Sequence, residues 1–179
     1  MFRATVTLLV VVGLLALTGV ASAASPHYKG GPTAGPNIQD VGAALAASGS
    51  VSGLGNGDLT ITLTATVYQP ETAGKCTNPG GQEKVPGQNP ATVSGALTIP
   101  GSEIKNGTLS FSVQTATDVP GAPACPNGGW TQSITALSVT SATLTFAQSG
   151  GDASSLNRTC TAPSHHGVVH SHDNDFLIC

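Results

Sequence analysis

From Asp58 to Gln69 the chain reads DLTITLTATVYQ, and apolar and polar positions alternate without a break. Leu59, Ile61, Leu63, Ala65 and Val67 share one face; Thr60, Thr62, Thr64, Thr66 and Tyr68 share the other. Successive side chains of a strand point to opposite faces, so the alternation predicts a strand with one face buried and one wet. Leu45, Ala47, Gly49 and Val51 alternate in the same way just before it. Asn56-Gly57 lies between the two runs. An Asn-Gly pair readily supplies the positive φ angles of a tight turn, so the two runs are expected to form a hairpin.

More runs follow. Val93, Leu97 and Ile99 fall on one face of ATVSGALTIP, and Leu109, Phe111 and Val113 on one face of TLSFSVQT. Asn106-Gly107 precedes the second of these as a further turn signal. Between Trp130 and Gln148 the apolar phase is even at Ile134 and Ala136, odd at Leu137 and Val139, and even again at Ala142, Leu144 and Phe146. A one-residue slip sends side chains to the opposite face, so this stretch is one bulged strand or two short ones. The SGGD stretch at 149–152 reads as a turn and SLNRTCTA as a final edge strand. No helical period is visible. The expected fold is all-β, an antiparallel two-sheet sandwich that is immunoglobulin-like in the broad sense, with a small barrel or jelly roll as the alternative.

Strand direction adds a geometric expectation. With Asn56-Gly57 at the bottom, the next strand rises, so the loops 70–90 and 117–129 both lie at the top. Cys76 and Cys125 sit in these loops, which makes them candidate partners. A single strand over 130–148 would start the C-terminal tail at the top, and two strands would start it at the bottom. Cys160 and Cys179 form the other candidate pair, although four cysteines allow three pairings.

The ends of the chain change the picture. Arg3 is the only charge before the apolar run Val6–Val20, and Ala21-Ser22-Ala23 matches a small-residue cleavage signal. Residues 1–23 therefore read as a secretory signal peptide, with 24–44 as an N-terminal extension, 45–160 as the β domain and 161–179 as a His-rich tail. The expected localisation is extracellular, with no membrane span after processing. An even number of cysteines without a CxxC fits disulfides in an exported chain. Charged residues are 8% of the chain and the net charge is -3. The bases are scattered, which disfavours nucleic acid as a partner.

The blocks SGSVSGLGNGDLTITLTATV, CTNPGG, PGQNP, IKNGTLSFSV and CPNGGW resemble a family of small exported bacterial β-sandwich proteins with no assigned activity. The resemblance spans about residues 45–148. It implies an exported β domain and assigns no functional residue.

Candidate chemistry is confined to two places. The long CTNPGGQEKVPGQNP loop carries Asn78, Gln82, Gln88 and Asn89, whose amides suit a sugar, and Trp130 could stack on a sugar ring. The competing reading is that the amides tie down their own loop. The second place is HHGVVHSHDND. There His165, His166, His170 and His172, with Asp173 and Asp175, form a candidate zinc or copper cluster that folding does not require. No GxSxG elbow, HExxH or phosphate-cradling loop is present, so a non-catalytic protein is expected. The expected function is an exported binding or surface module for an extracellular ligand, a glycan or a protein. The alternative is metal binding or sequestration through the tail.

Overall fold

The computed structural model describes residues 25–31, 33–68, 74–84, 91–117, 125–134, 138–162, 177 and 179. The expected signal peptide lies outside them. Among the described residues all strand pairing is antiparallel and there is no α-helix.

The first sheet is centred on β3 (Leu45–Ser52). On one edge β3 pairs with β1 (His27–Tyr28) and β2 (Asn37–Asp40), one after the other along its length. On its other edge lies β8 (Leu109–Gln114). Segment 24–44, expected as an extension ahead of the domain, thus supplies two strands of the sheet. Tyr28 and Ile38 from these strands are buried.

The second sheet has the order β11 (Arg158–Thr161), β10 (Ser138–Gln148), β4 (Leu59–Tyr68), β7 (Ala91–Ile99). The apolar set on β4 is buried from Leu59 to Val67 as the alternation requires. On the other face the threonines pair across strands, with Thr60 and Thr98 hydroxyls 3.3 Å apart and those of Thr143 and Thr159 3.4 Å apart. The two sheets bury one common core. Phe111 of the first meets Phe146 of the second edge to face, with ring centroids 5.3 Å apart. A Cβ on Gly49 would press on the Phe111 ring, so the missing side chain makes room for the phenyl group.

The hairpin expected at Asn56-Gly57 does not form. The β3 and β4 runs lie in different sheets, and neither Asn56 nor Gly57 has a positive φ. The connection is held by Gln148 instead. Its Nε2 donates to the carbonyls of Gly55 (2.9 Å) and Gly57 (3.1 Å), and its Oε1 accepts from the Gly55 N–H (3.0 Å). Asn106-Gly107 is a true turn, with φ of 51° and 68° and a Lys105–Thr108 bridge across it.

The phase slip after Trp130 has two causes. β9 (Thr131–Ile134) and β10 are separate strands in separate sheets, and β10 itself carries a bulge between Val139 and Ser141. β9 belongs to a small third sheet in the order β6 (Glu83–Lys84), β5 (Gly74–Thr77), β9. Because β9 does not traverse the body, two strands here do not reverse the tail. β10 still descends and β11 still rises, so residue 162 leaves at the top, against the expectation for two strands.

Candidate functional site

The third sheet sits at the top, where the two cysteine loops meet. Cys76 and Cys125 are bonded, as are Cys160 and Cys179. Both are expected pairs, Cys76–Cys125 from strand direction and Cys160–Cys179 from its short closure at the tail. Both bridges fit an oxidising compartment.

Each loop cysteine is followed two residues later by an asparagine that shapes a turn. In CTNPGG, Asn78 Oδ1 accepts from the Gln82 N–H (2.8 Å), while Asn78 Nδ2 donates to Gln82 Oε1 (2.8 Å). In CPNGGW, Asn127 Oδ1 accepts from the Gly129 N–H (3.0 Å), and the Trp130 N–H donates to the Asn127 carbonyl (3.1 Å). These are side-chain mimics of backbone turns. The amides of Asn78 and Gln82 are thus engaged with each other, which reduces what they offer a ligand.

Trp130 is brought to this same place. Thr77 pairs with Thr131, so Asn78 and Trp130 occupy the same end of the β5–β9 ladder. Trp130 is half-buried, and the Lys84 ammonium lies 5.9 Å from its ring centroid. Lys75 and Glu83 make an exposed ion pair of 3.0 Å on the opposite face of this small sheet, since Glu83 pairs with Thr77 whereas Lys84 pairs with Cys76. An indole face with a nearby cation can stack on a sugar ring or an aromatic group. Gln88, Asn89 and the tail residues His165, His166, His170, His172, Asp173 and Asp175 lie outside the described residues.

The tail returns to the body at its end. Leu177 is buried in the common core and Cys179 is tied to Cys160. The Cys160–Cys179 bond therefore closes residues 161–178 into a covalent loop.

A second site forms where the chain's N-terminal strand meets β11, and sequence reading missed it. Tyr28 and Arg158 are its centre. The Tyr28 hydroxyl donates to the Leu156 carbonyl (2.7 Å), and burial pushes its pKa up to about 12, partly offset by the Arg158 charge. The Arg158 guanidinium lies 5.0 Å from the Tyr28 ring centroid. A possible signal was a Tyr directly flanked by His27 and Lys29, but nothing local linked it to Arg158.

No protein-family model matches the chain, and comparison with curated proteins and with solved structures returns no match.

Proposed function

We propose that this protein is an exported, non-catalytic binding module built as an immunoglobulin-like β-sandwich in the broad sense. Its ligand is met at the loop end, and a glycan is the reading that its side chains favour. The observation that carries this is the half-buried Trp130 on a turn fixed by Asn127, beside Lys84 and next to the Cys76–Cys125 bridge. Preorganised loops on a rigid scaffold lower the ordering cost of binding. The apolar leader and the two disulfides support export. A glycan array probed with the oxidised protein and its Trp130→Ala variant tests the site. Binding to a glycan class is expected, weakened about tenfold or more in the variant, as for loss of a stacking anchor. Equal binding by the two proteins would overturn it.

A second reading is weak zinc or copper binding by His165, His166, His170 and His172, with Asp173 and Asp175 as oxygen donors. It is favoured by the anchoring of this segment at Leu177 and at the Cys160–Cys179 bridge, which confines the four imidazoles to a closed loop. Ligation needs neutral imidazole, so affinity should fall as the pH drops through about 6.5, the ordinary histidine value. Calorimetry with zinc and with copper at neutral and mildly acidic pH checks this. No heat of binding at neutral pH would end the reading.

A further inference from the structure

The Tyr28–Arg158 site lies at the far end of the strands from the cysteine loops. β1 pairs with the last residues of β3, His27 with Ser52 and Tyr28 with Val51, and then turns through Gly30 and Gly31 at φ of 120° and 103°. Two long-range hydrogen bonds fasten β1 to the 3-10 turn Ser154–Leu156. One is from Tyr28 to the Leu156 carbonyl; the other is from the Ser155 hydroxyl to the Pro26 carbonyl (2.7 Å). Between these elements opens a cleft of about 540 Å³, a size that admits a small ligand or one sugar residue.

The charge of this cleft is its unusual property. Lys29 and Arg158 both line it beside the His27 ring, and among the described residues no carboxylate does. Lys29 and Arg158 are two of only 6 lysines and arginines in a chain whose net charge is -3. Among the described residues the one ion pair is Lys75–Glu83, at the opposite end. Arg158 Nη1 donates to the carbonyls of Ser155 (2.9 Å) and Asn157 (2.7 Å). These acceptors orient the guanidinium without neutralising it. The Tyr28 ring covers it from one side, and the Tyr28 hydroxyl, already donating to Leu156, brings no negative charge. Like charges gathered around one concavity repel, so the arrangement disfavours the empty state relative to one holding an anion.

We propose that this cleft is an oxyanion-binding site, taking the carboxylate or phosphate group of a small solute or sugar. Arg158 offers its remaining N–H groups as a planar fork, and Lys29 adds a mobile point charge. The Ser52 and Ser155 side chains and the backbone around Gly30 and Gly31 present polar atoms to the body of the ligand, while Pro26 and Ala34 give it an apolar wall. The site does not depend on Trp130, so it stands or falls apart from the loop end.

The test is titration calorimetry on the oxidised protein at low ionic strength, with glucuronate, inorganic phosphate and glucose as probes. Glucuronate or phosphate should bind and glucose should not. The anion that binds distinguishes a carboxylate source from a phosphate source. Added sodium chloride should weaken the binding. Arg158→Gln should weaken it about tenfold or more, as for loss of a charge-assisted fork, and Arg158→Lys should recover only part of that. Because Arg158 also packs on Tyr28, Lys29→Gln serves as the second variant. Lys29 is exposed, so its loss should leave the unfolding transition in place and still weaken the anion about threefold, as for one screened charge. Trp130→Ala should bind the anion as the unaltered protein does. Failure of both anions to bind, binding of glucose as tight as glucuronate, or unchanged affinity in Lys29→Gln and Arg158→Gln would overturn the proposal.

Discussion

Single residues fix the joints of this protein, and most of them are polar groups whose partners lie far along the chain. Gln148 closes the Gly55–Gly57 connection, and the Asn157 side chain accepts from the Phe146 N–H (2.8 Å). Asp40 is the exception. Its Oδ1 accepts from the Gly42 N–H (2.7 Å), but its buried Oδ2 has no partner among the described residues. Partial burial raises the pKa of this carboxyl, and the Gly42 N–H only partly offsets that. A carboxyl with a raised folded pKa penalises the folded state as the pH climbs above the ordinary aspartate range. Asp40→Asn should therefore stabilise the protein relative to the unaltered chain at neutral pH, and the difference should vanish in acid. Urea unfolding of the two proteins across that range checks it; a difference independent of pH would contradict it.

At the scale of elements, the long strands were legible and their partners were not, while β1 and β2 were hidden in the expected extension and β5 and β6 in the expected 70–90 loop. Alternation from Leu59 to Val67 has the same form whichever sheet a strand joins, so it marks the buried face without naming the neighbour. That is why β3 and β4 read as a hairpin although they lie in different sheets. Asn-Gly was a sound turn signal at Asn106, where both residues take positive φ, and a misleading one at Asn56. The difference is Gln148, which gives the Gly55 and Gly57 backbone a partner from β10 that no local reading could supply. The seam between the two sheets was equally hidden. The Ala116 N–H donates to the Ser94 carbonyl (3.0 Å), and Gly95 lies directly against the Gln114 carbonyl. A Cβ at Gly95 would collide with that backbone. Gly95→Ala should accordingly cost about 1–3 kcal/mol, as for overpacking at a site that cannot give way. Denaturant unfolding measures it, and a neutral or stabilised variant would contradict the close approach.

For the whole molecule, the sequence placed one end well and the other badly. Strand direction alone brought the cysteine loops together, since an even number of passes returns the chain to the same end. It also set Trp130 beside Asn78, although the pairing of the two amides with each other leaves Trp130 as the stronger candidate. The cleft at Tyr28 and Arg158 escaped because its walls are about 130 residues apart and one of them read as a mere extension. The His-rich segment is bounded by Cys160 and Cys179, and the burial of Leu177 makes its deletion a change to the core as well as to the tail. Point substitution of the histidines is the cleaner test of their role.

The proposed export goes with a chain stapled at both the loop end and the tail. In the chain-entropy picture the Cys76–Cys125 bridge contributes about 4 kcal/mol and the Cys160–Cys179 bridge about 3 kcal/mol. Peptide mapping without reduction, on protein collected from outside the cell, tests this most directly. It should find a chain beginning at Ala24, peptides linking Cys76 to Cys125 and Cys160 to Cys179, and no free thiol. A Cys76–Cys160 link, or free cysteines in the collected protein, would contradict it.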